Sequence, residues 1–269
     1  MIISASRRCD IPAFAGERLM AALRAGELEV RNPFRPGDAR RVSLRRRDVD
    51  AFVFWSRNAR PFLRHLDEID RGGYPYCFLV TVTGYPRPLE PGVPASGDAA
   101  AFVRELAARI GRRRVIWRYD PVIFLPGMDI RFHAANFTRL AALLAPCVSR
   151  VIVSFFDPYA KALRRLGKAG IDAGTAGGSP MQQAEMLARF AAVAAASGLE
   201  IQTCAEPGPA AGVASGKCID EGLLNEVFGL NLSYRKDAGQ RKACLCQQSL
   251  DIGAYGECGH GCLYCYARR

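Results

Sequence analysis

The sequence is poor in lysine: five Lys stand against 32 Arg, and with 26 acidic residues the chain carries a formal charge of +11. A basic surface fits nucleic acid, acidic lipid or an anionic substrate. An arginine excess beside abundant Ala and Gly also fits the codon bias of a GC-rich genome, so charge alone selects no partner. No apolar run approaches the ~20 residues of a membrane span, and the alanine-rich stretch 184–197 is broken by Glu185 and Arg189. The opening residues, MIISASRRC, lack the architecture of a signal peptide. The expectation is a soluble, cytoplasmic protein with no membrane partner. Ten cysteines in such a chain argue against a disulfide framework. Internal repeats of solenoid spacing are also lacking.

What is present is an alternation. Six β-like runs begin at Ile2, Ala51, Cys77, Val115, Val151 and Leu199. Residues 14–25, 98–111, 131–145 and 181–197 carry helical periodicity. Alternating strands and helices predict an α/β fold with a parallel sheet, doubly wound or closed as a barrel. The 269 residues suit a TIM-like barrel, complete or partial. Four of the six runs end in an acidic residue followed, at once or one residue later, by proline: Asp10-Ile11-Pro12, Asp120-Pro121, Asp157-Pro158 and Glu206-Pro207. In parallel α/β folds the carboxyl ends of the strands are where ligands bind. Residues 86–98 and 207–216 are Pro/Gly-rich and read as loops. The second marks a boundary between an α/β body, 1–207, and a cysteine-rich tail, 208–269.

Seven of the ten cysteines follow residue 200. Cys258, Cys262 and Cys265 lie on one short loop, Cys258-Gly-His-Gly-Cys262-Leu-Tyr264-Cys265. Thiolates so spaced can hold three irons of a [4Fe–4S] cluster and leave the fourth open to a small molecule. The competing reading is structural zinc, which takes four ligands. His260, between two of the cysteines, reads as pointing toward substrate or solvent. Cys204, Cys218, Cys244 and Cys246 supply four more ligands, enough for a second [4Fe–4S] cluster or a zinc site. Cys9, at the first strand's carboxyl end, is a candidate hydrogen-atom donor or a packed core thiol. Cys77 and Cys147 read as core.

Arg8, Arg57, Arg118 and Arg241 are candidates to bind a carboxylate through the planar guanidinium fork. Asp120, Asp157 and Glu206 are candidates to hydrogen-bond ribose or substrate. Arg118 and Asp120 share one face of their run, as do Gln202, Cys204 and Glu206.

The tail loop resembles the cluster motif of the radical SAM enzymes. The set of Ser6-Arg7-Arg8 with Asp10-Ile11-Pro12, Arg31-Asn32-Pro33, Phe54-Trp55-Ser56-Arg57-Asn58, Trp117-Arg118-Tyr119-Asp120-Pro121, Gln202-Thr203-Cys204-Ala205-Glu206, Cys218-Ile219-Asp220, Gln240-Arg241 and the tail from Cys244 to Ala267 is similar to an uncharacterised bacterial domain-of-unknown-function family. Its members carry a C-terminal cysteine cluster like that of radical SAM proteins. The resemblance implies an iron–sulfur protein in which the open iron binds S-adenosylmethionine and Tyr264 lies beside adenine. A radical formed by reductive cleavage would act on an unknown small-molecule substrate, with a flavodoxin or ferredoxin as reductant. No Gly-Gly-Glu element accompanies the loop. Radical SAM loops usually follow the first barrel strand. Here residues 249–255 would feed the loop and close against the N-terminal strand, a circular permutation in effect. Two alternatives remain: a nucleic-acid-acting enzyme of the same chemistry, and a non-catalytic binding protein stabilised by zinc or a closed cluster.

Overall fold

Five mainly apolar runs of four to eight residues become strands whose two faces are both largely covered; a sixth, Glu200–Thr203, is only partly buried. The computed structural model describes all residues except 33, 34, 36, 207–210 and 269. Its elements are, in chain order, β1 (Ile2–Ala5), α1 (Ile11–Phe14), α2 (Gly16–Ala25), β2 (Glu27–Arg31), β3 (Ala39–Ser43), β4 (Ala51–Ser56), α3 (Leu66–Arg71), β5 (Tyr76–Thr81), α4 (Ser96–Ile110), β6 (Val115–Val122), α5 (Ile130–Leu144), β7 (Arg150–Phe155), α6 (Ala160–Lys168), α7 (Pro180–Ala196), β8 (Glu200–Thr203), β9 (Ala214–Ser215), α8 (Glu221–Phe228) and β10 (Leu250–Asp251). Side-chain caps start two of the longer helices. Asp129 accepts from the Phe132 amide of α5, and Ser179 forms a capping box with Gln182 of α7.

Eight strands form one sheet in the order β10-β1-β4-β5-β6-β7-β8-β9, with every neighbouring pair parallel. β2 and β3 form a separate antiparallel pair. Period-two geometry divides the sheet's side chains between two cores. On one face Phe54, Phe78, Trp117 and Tyr119 meet Phe102 of α4, Phe137 of α5 and Phe190 of α7. Phe137 and Phe190 stack at 4.1 Å and anchor this larger core. On the other face Ile2, Val53, Trp55, Leu79, Ile116 and Ile152 are covered by Ile219, Leu224 of α8, and the cysteines 204, 218, 244 and 246.

Helices α2 to α7 all contribute to the larger core, and the main strands follow in sequence order. That is the winding of a barrel wall rather than of a doubly wound sheet. The wall does not close. β9 and β10 lie at opposite ends of the sheet and are not paired with each other, so the fold is an open parallel α/β sheet and not a TIM barrel. The reason is visible in the edge strands, each only two residues long and too short to build a closing ladder. The expected boundary at 207/208, with Pro33, lies outside the described residues. No helix among the described residues is long and apolar enough to cross a membrane.

Candidate metal centres

The tail returns to the start of the chain. β10 pairs parallel with β1 through Ile3–Leu250 and Ser4–Asp251. The Asp251 carboxylate then accepts from Ser4 Oγ at 3.1 Å, Ser6 Oγ at 2.7 Å and the Arg7 amide at 2.8 Å. The loop carrying Cys258, Cys262 and Cys265 therefore leaves the sheet beside the carboxyl end of β1.

Docking of that loop is backbone work. The Gly92 amide donates to the His260 carbonyl at 2.9 Å, and the Leu263 amide to the Leu89 carbonyl at 3.0 Å. Arg165 of α6 donates to the carbonyls of Leu263 at 3.0 Å, Arg268 at 3.1 Å and Cys265. His260 does not face solvent, as the sequence suggested. It is 2 % exposed, with Nε2 on Asp10 Oδ2 at 2.7 Å and Nδ1 on the Gly92 carbonyl at 3.0 Å. Both ring nitrogens are engaged, so His260 is a clamp and not a ligand. Asp10 also accepts from the amides of Ala13 and Arg57, tying the loop to α1 and to the end of β4.

Cys262 is buried; Cys258 and Cys265 are partly exposed. Burial pushes the Cys262 thiol up to about 12, with Arg57 opposing. Burial also raises Cys258, while the backbone amides of His260 and Asp10 pull it down. Cys265 Sγ accepts from the Ala267 amide at 3.3 Å. Tyr264 is buried with its hydroxyl accepting from Arg57 at 2.8 Å and donating to Glu90. Glu90 also accepts from Arg57 at 2.8 Å and from Thr83 at 2.6 Å. This carboxylate was missed in the sequence because it sits in a Pro/Gly-rich loop that reads as surface.

The second group is tighter. The sulfurs of Cys204, Cys218 and Cys246 all lie within 4.8 Å of one another, the one such His/Cys/Asp/Glu group among the described residues. Cys204 and Cys246 are 3.8 Å apart, and the Cys218 amide donates to Cys246 Sγ at 3.3 Å. Cys244 is buried in the same core cluster as these three. Sulfur contacts from Cys204, Cys218 and Cys244 draw Cys246 down, making it the first of the four to ionise. The four converge from the end of β8, the segment before α8 and the tail; sequence spacing gives the residues but not the convergence.

Two guanidiniums flank this group. Arg118 and Arg7 lie over the Trp55 ring at 4.7 and 5.3 Å. Arg118 is paired with Asp120 at 2.7 Å, and Asp120 also accepts from Ser154. Arg8 lies against Tyr255 and reaches the Gly253 carbonyl at 3.4 Å. Glu206 accepts from the Phe155 amide at 2.8 Å, and burial raises its carboxyl. Cys9 is buried near Gly253, and burial pushes it up to about 11. Arg241 is paired with Asp157. Several surface arginines are likewise paired with carboxylates, among them Arg18, Arg24, Arg64 and Arg189.

An open parallel α/β sheet carrying a buried cysteine group that can bind a metal defines the class of protein. The chain belongs to the family described as Domain of unknown function (DUF1848), whose model matches residues 2–267. No curated protein and no solved structure matches it.

Proposed function

We propose that the protein is an iron–sulfur enzyme of the radical SAM kind, built on a permuted, open version of the barrel wall. The observation that carries this reading is the parallel pairing of β10 with β1. It presents the Cys258–Cys265 loop at the sheet edge where β1, β4, β5 and β6 end, the ligand-binding edge of parallel α/β folds. The donor set fits a cluster with one open iron. Three thiols are supplied by the loop, and the loop's histidine is held away by Asp10 and Gly92. The three sulfurs do not crowd to within 4.8 Å as the buried group does. That suits thiolates bound to different irons rather than to one ion.

Cys258, Cys262 and Cys265 would hold a [4Fe–4S] cluster, which supplies the electron and the coordination site for reductive cleavage of S-adenosylmethionine. The chain's own residues do the positioning. Arg57, fixed by Glu90 and Thr83, places a positive charge beside Cys262. Tyr264 anchors the turn before the third ligand; its assignment beside adenine rests on the resemblance. Arg8 and Arg118 are the further candidates for anionic groups, Asp120 and Glu206 for polar groups of a substrate, and Cys9 for hydrogen-atom donation. The substrate is a small molecule, and a flavodoxin or ferredoxin is the reductant.

The test is anaerobic purification, reconstitution with iron and sulfide, and EPR of the reduced protein with and without S-adenosylmethionine. A cluster signal that changes on addition and is lost in Cys262→Ala is the expected result. A cluster indifferent to S-adenosylmethionine, or no iron dependent on Cys262, would end this reading.

A further inference from the structure

We infer that Cys204, Cys218, Cys244 and Cys246 form a separate centre for one tetrahedral divalent ion, zinc by ligand class, and not a second cluster. Four thiolates bound at about 2.3 Å around a tetrahedral ion stand about 3.8 Å from one another. Cys204 and Cys246 are 3.8 Å apart, and Cys218 joins them within 4.8 Å. A cubane puts each thiolate on a different iron, around four metals and four sulfides, and needs a wider opening than this group has.

The ligand backbones are fixed around that spacing. The Cys204 amide donates to the Val153 carbonyl at 2.9 Å and the Cys244 amide to the Arg241 carbonyl at 2.9 Å. The Cys246 carbonyl accepts from the Asp237 amide at 3.0 Å. The amide donation from Cys218 to Cys246 Sγ is the kind of contact that orients a thiolate ligand.

A second observation concerns charge. Four thiolates on a divalent ion leave two negative charges in an apolar core, a costly arrangement unless neighbours offset it. Arg118 and Arg7 are each close enough to interact with Cys218, and Arg7 also with Cys246. Arg7 Nη2, Arg118 Nε and Trp55 Nε1 are buried donors with no hydrogen-bond partner among the described residues. They form a positive, donor-rich shell that a core of neutral thiols leaves unmet. All four ligands belong to the smaller core, whereas Cys262 belongs to the larger one. The ion would tie the end of β8, the segment before α8 and the tail together on the face of the sheet away from helices α2 to α7.

This centre does not depend on the tail cluster. The experiment is metal analysis and zinc-edge X-ray absorption on the full chain, with cobalt(II) replacement as a second readout. One zinc per chain with four sulfur neighbours, no metal–metal distance, and the strong visible bands of tetrahedral tetrathiolate cobalt are expected. Cys246→Ser should lose the zinc and retain the tail iron; Cys262→Ser should lose iron and retain the zinc. Iron and sulfide that follow Cys246 would overturn the inference. So would a metal–metal distance at this site, or wild-type protein without a metal there. The absorption measurement needs only wild-type protein, so a variant that fails to fold leaves the inference open to refutation. Loss of iron everywhere with zinc in place would sink the radical SAM reading alone.

Discussion

Gly92→Ala tests how the tail loop is held. A Cβ at residue 92 would stand 2.8 Å from the His260 carbonyl oxygen, 3.0 Å from the Gly259 oxygen and 3.0 Å from His260 Cα. All three are backbone atoms, so no side chain can swing aside. Gly92 also donates to the His260 carbonyl at 2.9 Å and accepts from its ring at 3.0 Å. Overpacking of this kind costs about 1–3 kcal/mol, and each lost hydrogen bond about 0.5–1.5 kcal/mol. The sum is a destabilisation of about 2–6 kcal/mol. Gly97 is the control. It lies in the first turn of α4 with nothing within 4 Å of a built Cβ, so Gly97→Ala should be neutral or stabilise by about 0.5–1 kcal/mol. Guanidinium unfolding of both variants reads the difference, and iron per chain reads the loop. A Gly92→Ala protein with wild-type stability would refute the claim that this contact docks the tail.

The remaining predictions concern charge and protonation. His133 is fully buried between Tyr119 and the Ile123 carbonyl, and burial lowers it to about 4. Its folded value lies below the unfolded 6.5, so the unfolded chain binds the extra proton between those limits. Stability should be full above about pH 6.5 and fall by about 3 kcal/mol as pH drops toward 4; His133→Gln should flatten that limb in urea titrations. Arg165→Ala removes the donor to three tail carbonyls and should shorten the lifetime in air of the cluster proposed for the tail loop, with Arg165→Lys rescuing little because it lacks the fork. Glu90→Gln leaves Arg57 without its buried partner and should cost about 3–5 kcal/mol, against about 1–2 for Tyr264→Phe. Chemical denaturation of both, with the double variant, reads their coupling.

The main sheet was legible because most of its strands are apolar runs, four of them closed by an acid-proline stop. β1, β4, β5, β6, β7 and β8 begin within a residue of where the runs at Ile2, Ala51, Cys77, Val115, Val151 and Leu199 place them. α4, α5 and α7 likewise follow their periodicity to within two residues at each end. The β2–β3 hairpin was missed because its exposed strands, ELEVR and ARRVS, carry too few apolar residues to register as strands. Barrel closure, complete or partial, was left open for a related reason. It depends on whether edge strands are long enough to pair, and a two-residue strand such as β10 gains its place from Asp251 bonding to Ser4, Ser6 and Arg7 rather than from any pattern of its own.

The site divides along the same line. Cysteine spacing identified the ligand residues, since thiolates on a short loop are a local feature. What local reading could not supply is which charges face one another. Arg57 and Arg118 read as free anion binders, yet Arg57 is engaged by Glu90 and Arg118 by Asp120. An arginine buried at a strand end needs a carboxylate or another acceptor to remain there, and the partner comes from a different part of the fold. The same reasoning separates the two cysteine groups. Cys262 lies near a fixed Arg57 at the sheet edge. The other four sulfurs are enclosed with two guanidiniums that retain unmet donors. Three thiols at a strand-end edge, two of them partly exposed, suit the chemistry proposed for the tail loop; an enclosed four-sulfur group suits a structural ion.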